Sequence, residues 1–169
     1  MSYSIREIQP QDNARVEEVI RTCLIEFGGN HAGLAWSDPD LGRFSEVYAR
    51  EGRRYWVVLD ENGIVVGGAG IGELPNTPGV CELQKMYCLP KVRGTGMAHK
   101  LMALAMDYAT AHYDRCYIET LSNMHAANKF YQGHGFRQLS APLVATEHYA
   151  CDVWYLKELR PTPQDAASC

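Results

Sequence analysis

The chain has 169 residues, 46% of them hydrophobic and 21% charged, the make-up of one globular unit able to bury its own core. Its 16 basic and 20 acidic side chains leave a net charge of −4, which speaks against a broad nucleic-acid surface. No apolar run approaches the ~20 residues that span a bilayer, and none of the six cysteines forms a C-x-x-C pair, so no membrane partner, metal site or disulfide framework is expected.

Residues 1–6 lack the apolar core of a signal peptide, and the cysteines sit mostly in apolar runs, so buried free thiols and a cytoplasmic location are expected. Residues 3–8 alternate and predict a strand. Pro10 and Asp12 open a helix to about residue 27, with Val16, Val19, Ile20, Leu24 and Phe27 at helical spacing, stopped by Gly28-Gly29-Asn30. Residues 31–36 are irregular, and Ser37-Asp38-Pro39-Asp40 reads as the cap of a second helix ending near residue 50. Three strand-like runs follow at 55–59, 64–71 and 80–89. Asp60-Glu61-Asn62-Gly63 supplies a hairpin turn between the first two, and the glycines of the second point to close backbone packing or a bulge. A helix at about 95–112, a strand at 116–121, a shorter helix at about 124–133, and strands at 136–139 and 148–159 complete residues 1–160. A polar tail over 161–169 is expected to fray. Antiparallel hairpins followed by a β-α-β crossover give a mixed sheet flanked by helices.

The turn between the third strand and the long helix carries Arg93-Gly94-Thr95-Gly96-Met97-Ala98. Its glycines let backbone amides approach a ligand, and the helix start adds unpaired N–H groups and a positive dipole end, a setting for phosphate or pyrophosphate. No Gly-Lys-Ser/Thr follows, so it is not a P-loop. Nor does it occupy the first β-α-β unit that a dinucleotide fold requires. Lys85, Lys91, Arg93 and Lys100 gather around it, suiting a small anion.

About 30 residues further on comes Ala127-Asn128-Lys129-Phe130-Tyr131-Gln132-Gly133-His134-Gly135-Phe136. The glycine turn with Arg93, this second motif and the order of elements together resemble the GNAT superfamily of acetyl-CoA-dependent N-acetyltransferases. The resemblance implies an α/β (α+β) fold: a mixed, mostly antiparallel central sheet flanked by helices, with a splayed parallel strand pair. It implies acetyl-CoA as co-substrate and no metal. The pantetheine arm would pair with backbone of Met86, Tyr87 and Cys88, and the pyrophosphate would rest on amides of Arg93, Gly94, Thr95, Gly96, Met97 and Ala98. The side chains of Met97 and Leu101 are assigned to the core. Where many relatives carry an asparagine on the cofactor this chain has Met124, leaving Asn123 or Asn128 as replacements.

The implied reaction is attack of a neutral amine on a thioester. A base must take the ammonium proton, an acid should meet the departing thiolate, and a donor should face the carbonyl oxygen. Tyr131 matches the family's tyrosine and is the expected acid. Glu82 and Glu119, acids inside apolar strands, are alternative proton acceptors, and a backbone N–H near Met86 is the oxyanion donor. His31, Trp36, Tyr55, Trp56, His148 and Trp154 are candidates to line the acceptor pocket. The expected function is transfer of an acetyl group to a primary amine on a small molecule or peptide by direct attack in a ternary complex. A catalytically silent acyl-CoA-binding sensor module is the alternative, and a homodimer is an open expectation.

Overall fold

In the computed structural model, which describes residues 2–160, the chain runs β1 (Ser4–Glu7), α1 (Asn13–Glu26), α2 (Phe44–Val47), β2 (Arg54–Leu59), β3 (Val65–Glu73) and β4 (Val80–Cys88). Next come α3 (Met97–His112), β5 (Arg115–Thr120), α4 (His125–Gly133), β6 (Arg137–Leu139) and β7 (Val153–Glu158). The strands form one seven-stranded sheet in the order β1-β2-β3-β4-β5-β7-β6. Only β4 and β5 pair parallel. The tail expected over 161–169 lies outside the described residues.

Two elements differ from the sequence expectation. The second helix is a single turn, because Pro39 and then Gly42, at φ +87°, interrupt the run before Phe44. The last strand starts at Val153 rather than at 148, because the preceding residues are tied outward. His148 bonds Asp38, the Ala150 N–H donates to Gly33, and Asp152 accepts from the Ser122 N–H and hydroxyl.

Both faces of the sheet are covered, and β2 shows how alternation divides the core. Trp56 and Val58 join Val66, Ala69, Ile71, Leu101, Met102 and Ala105 under α3. Tyr55 and Val57 face the other way, against Val16, Val19 and Ile20 of α1 and against Phe44 and Tyr48. Gly68, Gly70 and Gly72 leave one face of β3 bare of side chains. A Cβ at Gly68 would lie 2.7 Å from the Tyr55 ring, and one at Gly70 would lie 2.7 Å from Tyr55 and 2.9 Å from Tyr48. The bare face lets two tyrosine rings lie against the backbone.

The feature that makes a site is where β4 leaves its neighbour. Val80, Cys81 and Glu82 pair with Arg115, Cys116 and Tyr117, and there the parallel ladder stops, although β4 continues to Cys88 and β5 to Thr120. On its other side β4 slips register against β3 between Gly68 and Gly70. Lys85 sits in that bulge at φ +50°, a left-handed conformation that a lysine rarely adopts. The Tyr55 hydroxyl donates to the Lys85 carbonyl at 2.8 Å and holds the bulge in place. A bulge bends the strand that carries it, and here it turns β4 away from β5.

Candidate active site

Past Glu82, β4 presents a backbone edge with no strand against it. A cleft enclosing about 490 Å3 follows that edge, walled by Met86, Tyr87 and Cys88 on one side and by α4 residues Ala127, Phe130 and Tyr131 on the other. At its far end lie Arg93, Gly94, Gly96, Ala98 and His99. An extended chain with amide groups could add to such an edge as a further strand would.

The glycine turn supplies donors selectively. The Arg93 N–H donates to Pro90 and the Thr95 N–H to Val92, closing the 3-10 turn at Pro90–Val92, and the Thr95 hydroxyl also bonds the Val92 carbonyl. Lys100 is the first residue of the helix start whose N–H finds a backbone acceptor, Gly96 at 3.3 Å. Among the described residues the amides of Gly94, Gly96, Met97, Ala98 and His99 therefore have no such partner. They stand at the positive end of the 16-residue helix α3. Of the six residues expected to cradle a pyrophosphate, Arg93 and Thr95 thus have their amides committed within the turn. Met97 contributes backbone only, its side chain being in the core with Leu101.

Gly94 and Gly96 lie at φ +78° and +88°, and a Cβ at either would meet open space beside the cleft. Gly96→Val therefore combines left-handed strain of roughly 1–2 kcal/mol with bulk at the amide cradle. It is expected to weaken coenzyme A binding about ten-fold or more by calorimetry, and equal affinity would remove the turn from the cofactor site.

The Arg93 side chain is already engaged. Its guanidinium forks onto Glu26 at 2.7 and 2.8 Å, bonds the Cys88 carbonyl at 3.0 Å and lies over the Phe27 ring. It lines the cleft from that position and is not a free arm aimed into it. Neither asparagine reaches the cleft lining. The Asn123 amide donates to the Phe27 carbonyl at 2.9 Å. The Asn128 amide donates to the Leu121 and Met124 carbonyls while its oxygen accepts from the Tyr155 hydroxyl at 2.8 Å, which is structural pinning of α4. Met124 itself lines the cleft.

The three proposed catalytic groups converge. Tyr131 borders both this cleft and a narrow passage of about 70 Å3 between the parted strands, whose walls include Glu82 and Glu119. Burial pushes the Tyr131 phenol well above its ordinary range, with Cys88 and Tyr155 adding to the effect, so it stays protonated. Glu82 sits on the last paired rung of the ladder, and its Oε1 accepts from Gln84 at 2.9 Å. Burial raises its carboxyl above the ordinary range, the Gln84 bond opposes this, and the neighbouring Glu119 adds to the rise. Glu119 accepts from Thr146 at 2.7 Å and from the Tyr117 hydroxyl at 3.1 Å, and its side chain is 3% exposed.

Sharing Glu82, Lys85, Glu119 and His148 with this passage is a cavity of about 690 Å3 that Asp38 and Tyr48 also border. Lys85 pairs with Asp38 at 2.6 Å, and Asp38 accepts from His148 Nε2 at 2.8 Å. Burial alone would raise the Asp38 carboxyl, but the His148 bond and Lys85 outweigh it and hold it below the usual carboxylate range. Of the six residues expected to line the acceptor pocket, His148 borders this cavity. Tyr55 and Trp56 are core residues, and Trp154 packs beside Leu156 and Tyr117. Trp36 lies under Arg21, and His31 bonds the Ala32 carbonyl. The sequence reading missed Lys85, Gln84, Tyr48 and Asp38 as site residues. The sequence places Lys85 near the glycine turn, and no pattern in the chain marks its left-handed backbone.

Among the described residues no three or more histidine, cysteine or acidic side chains are grouped to hold a metal ion, and no helix is long and apolar enough to cross a membrane. Cys23, Cys81, Cys88, Cys116 and Cys151 are free thiols.

Comparison with known proteins agrees with this geometry. The acetyltransferase (GNAT) family matches residues 16–136. An uncharacterized N-acetyltransferase of Escherichia coli K12, YjgM, is 40% identical over 158 residues, spanning 92% of this chain and 94% of that protein. An acetyltransferase of the GNAT family from Staphylococcus aureus Mu50 superposes with a TM-score of 0.82 at 21% identity, over 94% of this chain and all of that one. YncA of Salmonella typhimurium, a putative acetyltransferase solved with its cofactor acetyl-CoA, gives a TM-score of 0.73 at 20% identity over 96% of each chain.

Proposed function

The chain belongs to the GNAT acetyltransferase family, and we propose that it moves an acetyl group from acetyl-CoA to a primary amine by direct attack within a ternary complex. One observation carries the reading: β4 and β5 part beyond Glu82 and Tyr117, and Glu82, Glu119 and Tyr131 all border the resulting passage. The open edge at Met86, Tyr87 and Cys88 would hold the pantetheine arm, and the free amides of Gly94, Gly96, Met97 and Ala98 the pyrophosphate. When bound, acetyl-CoA supplies the activated acyl group.

The residues of this chain do the rest. Glu82 takes a proton from the acceptor ammonium, its raised affinity for protons bringing it closer to the amine. Tyr131 donates to the departing sulfur, and an amide near Met86 faces the carbonyl oxygen as charge grows there. The parted strands and the rings of Tyr131 and Tyr87 keep bulk water from the thioester.

The test is release of free thiol from acetyl-CoA in the presence of spermidine, L-lysine, kanamycin and a lysine-containing peptide, each measured against an amine-free control. Amine-dependent release supports transfer. Tight binding of acetyl-CoA without release for any amine would instead make the chain an acyl-CoA-binding module.

A further inference from the structure

Amide formation from an ammonium has a proton left over. The N–C bond forms and the C–S bond breaks, two protons leave the nitrogen, one ends on the coenzyme A sulfur, and the second has to leave the protein. Glu82 and Glu119 are poorly placed to discharge it alone, since Glu119 is 3% exposed. Resting on the transfer reading above, we propose that His148 is the proton outlet of the acceptor side, taking the surplus proton from the Glu82–Glu119 pair and passing it to solvent.

The hydrogen bonds fix which nitrogen does this. Asp38 is held ionised and can only accept, so the His148 Nε2 that lies 2.8 and 2.9 Å from its oxygens must carry hydrogen. In the neutral ring the lone pair is then on Nδ1, and Nδ1 is the atom that faces Glu119 Oε2, at 3.8 Å. That separation is closed by a small ring movement or by one bridging water. An imidazole can accept a proton at one nitrogen while giving one up at the other, and the His148 side chain is 20% exposed, so it joins a buried carboxylate to the outside.

Every neighbour has a part in this. Asp38, from the segment before α2, orients the ring and offsets its positive charge. Lys85 of β4 is bound to Asp38 and has no capacity to accept. Glu82 of β4 and Glu119 of β5 supply the proton, and Glu147, next to His148 in the chain, borders the same cavity. Thr146 ties that loop to the path, donating to Glu119 while accepting the His148 backbone N–H at 3.2 Å. His148 acts through Glu119 and is a positioning and relay residue.

The test uses His148→Gln, which keeps a donor for Asp38 but cannot take up a proton, and His148→Gly with and without added imidazole. The reaction is acetyl-CoA with whichever of the four amines the wild type uses, followed from pH 6 to 9. The expected result is a fall in kcat of about ten-fold or more for His148→Gln, with the KM for acetyl-CoA and the melting temperature unchanged and the acid side of the kcat profile altered in shape. Imidazole should restore part of the rate to His148→Gly. An unchanged kcat and pH profile in His148→Gln overturns the outlet and leaves transfer standing. A loss that imidazole does not restore, together with a lowered melting temperature, overturns it in favour of a structural latch. A wild type that releases no thiol with any amine overturns the transfer reading, and the outlet with it.

Discussion

Glu82→Gln is expected to lower turnover by about 100-fold or more, the usual weight of a general base, while coenzyme A binding changes little. The amide keeps the shape of the carboxylate and its oxygen can still accept from Gln84, so the loss reports proton transfer rather than collapse of the site. The acid limb of kcat/KM carries the sign. The base works only when ionised, so the rate falls as pH drops through its raised value. Glu119→Gln removes a like charge and moves that limb to lower pH. A limb that stays in place in Glu119→Gln would show that the two carboxylates do not sense each other.

Stability should respond in the opposite direction. A carboxyl whose folded-state affinity for protons exceeds its unfolded one favours the fold at low pH and loses that contribution as pH rises through the folded value. Glu82→Gln therefore melts higher than wild type at neutral and alkaline pH, and thermal unfolding across pH checks it. A mutation that slows the reaction while firming the fold marks a group placed for chemistry at a cost in stability.

Tyr131→Phe is expected to lower turnover about ten-fold or more with modest change in acetyl-CoA affinity. The ring is retained, and with it the packing against Phe130, Phe136 and Tyr155 at centroid separations of 5.9, 6.3 and 5.9 Å. Only the hydroxyl is removed, and that hydroxyl is kept protonated by burial, as a donor to a leaving thiolate must be. Stopped reactions with acetyl-CoA and an accepted amine measure it, and unchanged turnover takes Tyr131 out of the mechanism.

The parts of the molecule that announce themselves in sequence are those where local chemistry decides the structure. Gly94 and Gly96 must be glycine for their left-handed backbone, and the Phe130–Tyr131 pair with the Gly135-Phe136 stop fixes α4 and its return. The hydrophobic periods of α1 and α3 and the apolar run of β2 followed from burial. What was not legible depends on residues distant in the chain. α2 is short because Gly42 takes a left-handed φ of +87° where it packs against Glu17 of α1, a contact that lies 25 residues away in the chain. Residues 148–152 left the last strand because Asp38, Gly33 and Ser122, more than 25 positions earlier, offered better partners. Lys85 gives no sign of its φ of +50°, since lysine has no preference for it; a tyrosine on β2 holds it there. Of the aromatic residues that could line the pocket, Tyr55 and Trp56 are the ones that two-sided burial of β2 claims for the core.

The glycine stripe of β3 thereby acquires a role beyond packing. Tyr55 and Tyr48 can lie flat only because Gly68 and Gly70 offer no methyl group, and from there Tyr55 reaches the Lys85 carbonyl and Tyr48 reaches Gln84, which in turn bonds Glu82. Gly72 makes room for the Gln84 amide itself. Alanine at Gly70 would strike the Tyr48 and Tyr55 rings rather than a ligand, yet the displacement it forces passes from the Tyr48 phenol through Gln84 to the carboxylate that starts the reaction. Selection on catalysis therefore reaches into the interior of a strand through the side chains that lie on it.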